Sequence, residues 1–164
     1  MRLCRILLAS LCGSLGACAQ LALEHVPPGA TSAEVLARAG APSEERTLPG
    51  GITAWYYESG PFGWTTYRTR FDPAKRLLGV EQVLSDAEFR KLAPNQSRRE
   101  DVLDLFGRPA LVTRYPNLGE EVWTYRYRDV TLEMLNDDHF DMATGVLRYY
   151  TLYRDPAYTS QGRH

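Results

Sequence analysis

The most constraining feature of this chain is a short pattern that occurs twice, 67 residues apart. Residues 34–42 read EVLARAGAP and residues 101–109 read DVLDLFGRP, so Val, Leu, Gly and Pro recur in register. Further pairs follow at offsets of 68 to 69, namely Trp55 with Trp123 and Phe71-Asp72 with Phe140-Asp141. Self-similarity of this kind indicates one small structural unit used twice.

Each copy begins with a predicted helix. Thr31-Ser32-Ala33-Glu34 and Ser97-Arg98-Arg99-Glu100 both match the S/T-x-x-E capping box, in which side chains bind otherwise unpaired backbone N–H groups. Gly40 and Gly107 lie where a left-handed residue ends a helix, and a proline follows two residues later in each copy. Ser85-Asp86-Ala87-Glu88 repeats the capping pattern, which predicts a short joining helix through about Leu92.

The remainder of each copy alternates in the period-two manner of strands rich in Trp, Tyr, Val and Thr. The predicted strands are Ile52 to Tyr57, Thr65 to Phe71 and Leu77 to Leu84, then Glu121 to Tyr127, Val130 to Phe140 and Val146 to Tyr153. Three antiparallel strands need a covering layer to bury their apolar face. We therefore predict an α+β fold of two tandem α-β-β-β units, each a three-stranded antiparallel sheet packed against a short helix.

The N-terminus has the layout of a secretory signal, with Arg2 and Arg5 before a short apolar run. The run ends in Leu15-Gly16-Ala17-Cys18, which resembles the lipobox of bacterial lipoproteins. The resemblance implies cleavage before Cys18 and acylation of its thiol, and several acyl chains hold a protein on a membrane far more firmly than one. Ala19 and Gln20 follow instead of the Asp that commonly retains such proteins in the inner membrane, so we expect the periplasmic face of the outer membrane.

The predicted organisation follows from these features: a signal peptide over 1–17, the lipidated Cys18 and an extended leash over 18–28, a first repeat over 29–92, a second repeat over 93–158, and a tail over 159–164. Cleavage removes Cys4 and Cys12 and lipid occupies Cys18, so no disulfide or thiol chemistry is expected. Loss of Arg2 and Arg5 leaves 17 basic against 20 acidic side chains, which does not favour nucleic-acid binding.

A lipobox, a short helix ending in G-x-P, a W-x-Y strand and an F-D turn together resemble the BamE-like family, also called small protein A or OmlA. The matching residues are Val35, Gly40, Pro42, Trp55, Tyr57, Phe71 and Asp72, then Val102, Gly107, Pro109, Trp123, Tyr125, Phe140 and Asp141. The founding member is an outer-membrane lipoprotein of the β-barrel assembly machinery with one such domain. The tandem arrangement here is closer to β-lactamase-inhibitor proteins of related fold.

The resemblance implies a non-enzymatic outer-membrane scaffold that binds envelope proteins, β-barrel assembly components among them, with anionic phospholipid as a further candidate partner. The alternative is a tethered inhibitor or regulator of a periplasmic enzyme. No nucleotide-binding glycine motif, HExxH or G-x-S-x-G is present in the sequence, so we expect neither catalysis nor a cofactor.

Two groups of residues invite a chemical interpretation. The stretch Asn136 to Asp141 offers carboxylates and His139 to a divalent metal, with Asp137, His139 and Asp141 on one face. The equivalent stretch of the first copy, residues 67–71, carries no such ligands, so we favour a solvated, irregular strand end and predict no metal site. The paired tryptophans suggest either a carbohydrate platform or core, and we favour core.

The candidate binding surface is an Arg and Tyr face opposite the aromatic core stripe. Strand alternation turns Trp123, Tyr125 and Tyr127 inward. The residues expected to point the other way are Arg126, Arg128, Arg148, Tyr150 and Arg154, with Arg68 and Arg70 in the first copy. Arg and Tyr are enriched at protein interfaces, and a merely solvated face is the other interpretation.

Overall fold

The computed structural model describes residues 22–59 and 64–159. Besides the helical residues 22–24, the described part of the chain has four short helices, α1 (Ser32–Ala39), α2 (Asp86–Phe89), α3 (Arg99–Phe106) and α4 (Pro156–Thr159). The eight strands are β1 (Glu44–Leu48), β2 (Ile52–Glu58), β3 (Thr66–Phe71), β4 (Leu77–Gln82), β5 (Leu111–Tyr115), β6 (Glu120–Asp129), β7 (Leu132–Asp141) and β8 (Leu147–Arg154).

The predicted fold class is wrong, because the strands form two four-stranded antiparallel sheets in the orders β1-β2-β3-β4 and β5-β6-β7-β8. The described chain is mostly β with a few short helices, and not a pair of three-stranded sheets each packed on a helix. The strands that the sequence analysis missed are β1 and β5. Each forms a hairpin with the next strand through a 3₁₀ turn, at Pro49–Gly51 and Pro116–Leu118.

Equivalent backbone contacts recur in the two halves. Gly40 N–H donates to Leu36 O as Gly107 N–H donates to Leu103 O, and Leu77 N–H donates to Ala30 O as Leu147 N–H donates to Ser97 O. In each half, the last two strands pair with the same irregularity, which is a register shift at Leu78 in β4 and at Arg148 in β8. Such a shift is a β-bulge, which reverses the side-chain alternation that follows it.

Two hydrophobic clusters form the core. The first joins Val35 and Ala39 of α1 to Trp55, Tyr57 and other buried residues of the first sheet. The second joins α3 to the second sheet through Val102, Phe106, Trp123, Tyr125, Tyr127, Phe140 and Leu147. The segment from Val83 to Leu92, including α2, contributes four buried side chains to the second cluster. Both tryptophans are therefore core residues, as predicted.

The capping boxes differ between the halves. At α1 the Thr31 side chain accepts from Glu34 N–H while the Glu34 carboxylate accepts from Thr31 N–H, as predicted. At α3 the box begins one residue later than predicted, since the N-cap is Arg98 and the Asp101 carboxylate accepts from its N–H. Ser97 instead accepts from Ala93 N–H in the preceding turn.

The two helix-ending glycines provide a matched test of packing. Gly40 and Gly107 both have φ near +75° with extended ψ, a region almost confined to glycine. A Cβ on Gly40 would meet nothing within 4 Å, whereas a Cβ on Gly107 would lie 3.0 Å from the Tyr56 ring. Gly40→Ala should lower the free energy of unfolding by about 1 to 3 kcal/mol from backbone strain alone.

Gly107→Ala should cost more, because overpacking typically adds about 1 to 3 kcal/mol to that strain. Chemical denaturation of both variants checks the difference. Equal losses would contradict the close packing of Gly107 on Tyr56.

Candidate partner-binding surface

The two halves are joined where the first sheet meets the C-terminal end of α3. The last carbonyl groups of a helix have no intrahelical partner. Here Tyr56 OH donates to Asp104 O at 2.7 Å, and Arg68 Nη1 donates to Asp104 O at 2.8 Å and to Leu105 O at 3.3 Å. Side chains of the first half thus cap the main helix of the second, and the Arg68 charge suits the negative end of the helix dipole.

Burial and ion pairs fix this junction further. Arg68 is only 8% exposed, and its other terminal nitrogen pairs with Glu81 at 2.7 Å. Arg46 pairs with the Asp104 side chain at 2.8 Å, and Arg108 N–H donates to the Glu44 carboxylate. Burial raises the pKa of Tyr56 to about 12, so its hydroxyl remains a donor at neutral pH. Arg68 therefore lies inside the molecule and not on an accessible face.

The second sheet has two contrasting faces. One carries Trp123, Tyr125 and Tyr127 and covers the second core. We name the opposite face the open face. Strand register assigns to it Leu111, Thr113 and Tyr115 of β5, Glu120, Val122, Thr124, Arg126 and Arg128 of β6, Glu133, Leu135, Asp137, His139 and Asp141 of β7, and Tyr149, Thr151 and Tyr153 of β8, with Arg148 at the bulge. Among the described residues, the side-chain hydrogen bonds and ion pairs of this face join residues of the second sheet or of its β7–β8 turn.

Tyrosines dominate the accessible part of the open face. Tyr149 is 45% exposed and Tyr153 is 37% exposed. The Tyr149 ring stacks on His139 with centroids 4.2 Å apart, and its hydroxyl lies 3.4 Å from the Glu120 carboxylate. Tyr153 OH donates to Asp137 at 2.7 Å. These contacts hold large aromatic side chains in fixed orientations while their outer edges remain exposed.

The β8 bulge corrects one predicted site residue. Leu147 is fully buried, and simple alternation from it would turn Tyr149 inward and Tyr150 outward. The register shift at Arg148 reverses this, so Tyr150 packs against the second core while Tyr149 lies on the open face. Arg154 pairs in register with Met134, on the side of the sheet that faces the core, and is exposed at the strand end.

The predicted arginines separate into distinct environments. Arg148 bonds to Asp141 at 2.7 Å, and Arg128 pairs with Glu133 and stacks on the Trp64 ring. Arg126 is half-buried and lines a small cleft with Glu58 and Arg108 at the junction of the halves. In the first sheet, Arg70 pairs with Glu81 and is partly exposed. The structure brings Arg126, Arg128 and Arg148 onto the open face and separates Arg68 and Arg70 from it.

The Asn136 to Asp141 stretch does not converge on a metal. Asp137, His139 and Asp141 share the open face as predicted, but Asp137 binds Tyr153 and Thr124 while Asp141 binds a turn and Arg148. No three potential ligands cluster as a metal site among the described residues. Asp138 faces the core, where it is fully buried and accepts a 2.8 Å bond from Asn136.

A second concavity lies beside the first sheet. A cavity of about 340 Å³ opens between residues 23–28 and strands β3 and β4, with Leu23, Val26, Leu77 and Val80 in its wall. Tyr67 OH donates to Glu24 at its rim. Cys18 lies outside the described residues, and within them no helix has both the length and the hydropathy to cross a bilayer.

Arg68 should matter for stability. Arg68→Met removes the side-chain donor to Leu105 O and leaves Asp104 O with Tyr56 OH alone, and it also removes the positive charge at the helix end. We expect this to lower the free energy of unfolding by about 1 to 3 kcal/mol. Arg70→Met removes a partly exposed partner of the same Glu81 and should cost under about 1 kcal/mol. Urea denaturation of the two variants measures this, and a similar loss for both would refute the capping role of Arg68.

Asp138 should make stability fall as pH rises. Burial raises the pKa of this carboxyl from 3.8 to about 7, against the opposing bond from Asn136. The folded state therefore favours the protonated carboxyl. The contribution of this protonation to the free energy of unfolding is complete below about pH 4 and is lost as pH rises through 7. Asp138→Asn should flatten that decline, measured as melting temperature at pH 5 and pH 8. Asp129→Asn, an exposed control in the same hairpin, should retain the wild-type dependence.

Comparisons with known proteins identify no family for this chain. No family model matches it, and no curated protein matches it. A DUF4309 family protein (YjgB) from Bacillus subtilis is 15% identical over 86% of this chain and 95% of its own, with a TM-score of 0.32. A score this low supports no statement about the fold or the function of this chain.

Proposed function

We propose that this chain is a non-enzymatic, lipid-anchored binding protein of the bacterial outer membrane, with the open face as its partner-binding surface. The lipobox-like sequence at Cys18 supports the anchor, and the BamE-like sequence pattern supports a role in envelope assembly. Anionic phospholipid is the second candidate ligand, because Arg126, Arg128 and Arg148 lie on the same face.

The proposal rests on one difference between the two halves: equivalent sheet faces are covered in the first half and exposed in the second. In the first sheet this face holds buried Ala54, Tyr56 and Arg68 and receives the end of α3. In the second sheet the equivalent face presents Tyr149 and Tyr153 with exposed edges. Tyrosine offers a large contact area with little conformational entropy to lose, which suits a binding surface.

The experiment is site-specific photocrosslinking of the full-length chain in its native envelope. A photoreactive residue at Thr151, between the two tyrosines, should capture one or a few discrete envelope proteins. The same residue at Leu78, exposed on the first sheet, is the matched control and should not capture them. Identification of the captured protein separates a β-barrel assembly component from a periplasmic enzyme, the alternative partner.

The double variant Tyr149→Ala with Tyr153→Ala should reduce capture at Thr151 at least about thirtyfold if the pair forms a hot spot. Circular dichroism should stay unchanged, since exposed side chains contribute little to stability. Binding to anionic phospholipid is tested by retention on anionic vesicles, compared between the wild type and the double variant Arg126→Glu with Arg148→Glu. A folded tyrosine variant with wild-type capture and a folded arginine variant with wild-type retention would together refute the surface.

The anchor has its own test. Cys18→Ser should abolish metabolic labelling with palmitate and release the protein from the outer-membrane fraction, because no other mature cysteine can accept lipid. Undiminished palmitate label in this variant would reject the lipobox.

A further inference from the structure

Strand β5 is an exposed sheet edge with an unusual concentration of apolar side chains. Leu111, Val112 and Tyr115 are each more than 40% exposed, and Leu118 in the following turn is 65% exposed. An edge strand has unpaired backbone N–H and C=O groups along one side. An apolar edge of this kind is a template for another strand, because only extended backbone satisfies that row of groups.

The other three edges are protected in recognisable ways. Strands β4 and β8 contain bulges, which twist an edge away from further pairing. Strand β1, the equivalent of β5 in the first half, carries Glu44, Glu45 and Arg46, and two of these are bound to the second half. Strand β5 pairs with β6 without any register shift and has Arg114 as its one charged residue.

We propose that β5 pairs with β5 of a second copy of this chain, which would join two second sheets into one eight-stranded antiparallel sheet. The strand is complementary to itself. A two-fold axis through Thr113 sets Leu111 opposite Tyr115 of the other copy, an aromatic and aliphatic pair of the kind that stabilises sheets. Val112 then lies opposite Arg114, so no like charges meet.

The same operation on β1 would be unfavourable. A two-fold axis through its central residue sets Arg46 against Arg46, and like charges directly opposite each other are destabilising. Arg46 is also held by Asp104 within its own chain. Self-pairing is thus specific to the second half. The pairing involves β5 alone, so it does not depend on a partner bound at Tyr149 and Tyr153, which lie at the opposite edge of the sheet.

Disulfide trapping in the full-length chain tests the pairing directly. Directly opposite residues of antiparallel strands have Cα atoms about 4.5 to 5.5 Å apart, within the range of a disulfide. Thr113→Cys should therefore give a crosslinked dimer on mild oxidation in the membrane, with the bond mapped to residue 113 by mass spectrometry. Thr151→Cys lies on the same face at the opposite edge and is the control. A yield at residue 113 no greater than that at residue 151 would overturn the proposal.

Charge at Val112 tests the register. In the Thr113→Cys background, Val112→Arg should lower the dimer yield about fivefold to tenfold, because it meets Arg114 of the other copy at two symmetric places. Val112→Glu should retain or increase the yield through pairing with the same Arg114. Circular dichroism verifies that both variants are folded. If both variants keep the full yield, or both lose it, the proposed pairing is wrong.

Discussion

The arrangement of this molecule depends on how the C-terminal end of α3 is capped. The carbonyl groups of Asp104 and Leu105 project from the helix without intrahelical partners, and Arg68 and Tyr56 of the first sheet supply the donors. This interaction places α3 between the two sheets, against the second core on one side and the first sheet on the other. The layers then follow the order α1, first sheet, α3, second sheet, and the open face lies at the end of the stack.

The equivalent positions show how far the halves have diverged. By strand register, Tyr56, Arg68 and Arg70 correspond to Thr124, Asp137 and His139 on the open face. Asp137 offers an acceptor where Arg68 offers donors to α3, so the capping arrangement of the first sheet is not repeated on the open face. Its exposed tyrosines and hydrogen-bonded carboxylates suit a different partner, which is consistent with two copies of one unit acquiring different surfaces.

Local patterns in the sequence predicted local structure well. The α1 capping box, the inward tryptophans and the alternation of Arg68 with Tyr67 all agree with the structure, because each depends on neighbours along the chain. Strand β1 was missed because its sequence EERTL has no apolar alternation; its burial comes from contact with the second half. The prolines that follow β1 and β5 at equivalent places were the available signal for two hairpins.

Two predicted binding residues, Tyr150 and Arg68, do not lie on the open face, and long-range structure is the reason. Tyr150 turns inward because the bulge at Arg148 reverses the alternation, and a bulge leaves no mark in the period-two pattern. Arg68 alternates away from the first core as expected, but that face is covered by α3, whose contacting residue Asp104 lies 36 residues farther along the chain. Only the packing of the two halves distinguishes a face covered by this protein from a face open to another.

The most direct test of the central claim is covalent footprinting of tyrosines in the native envelope and in the purified protein. If the open face binds a partner, Tyr149 and Tyr153 should be modified in the purified protein and protected several-fold in the envelope. Tyr56, fully buried at the junction, should be unreactive in both and reports an intact fold. Equal modification of Tyr149 and Tyr153 in the two preparations would contradict the assignment of the open face as the partner-binding surface.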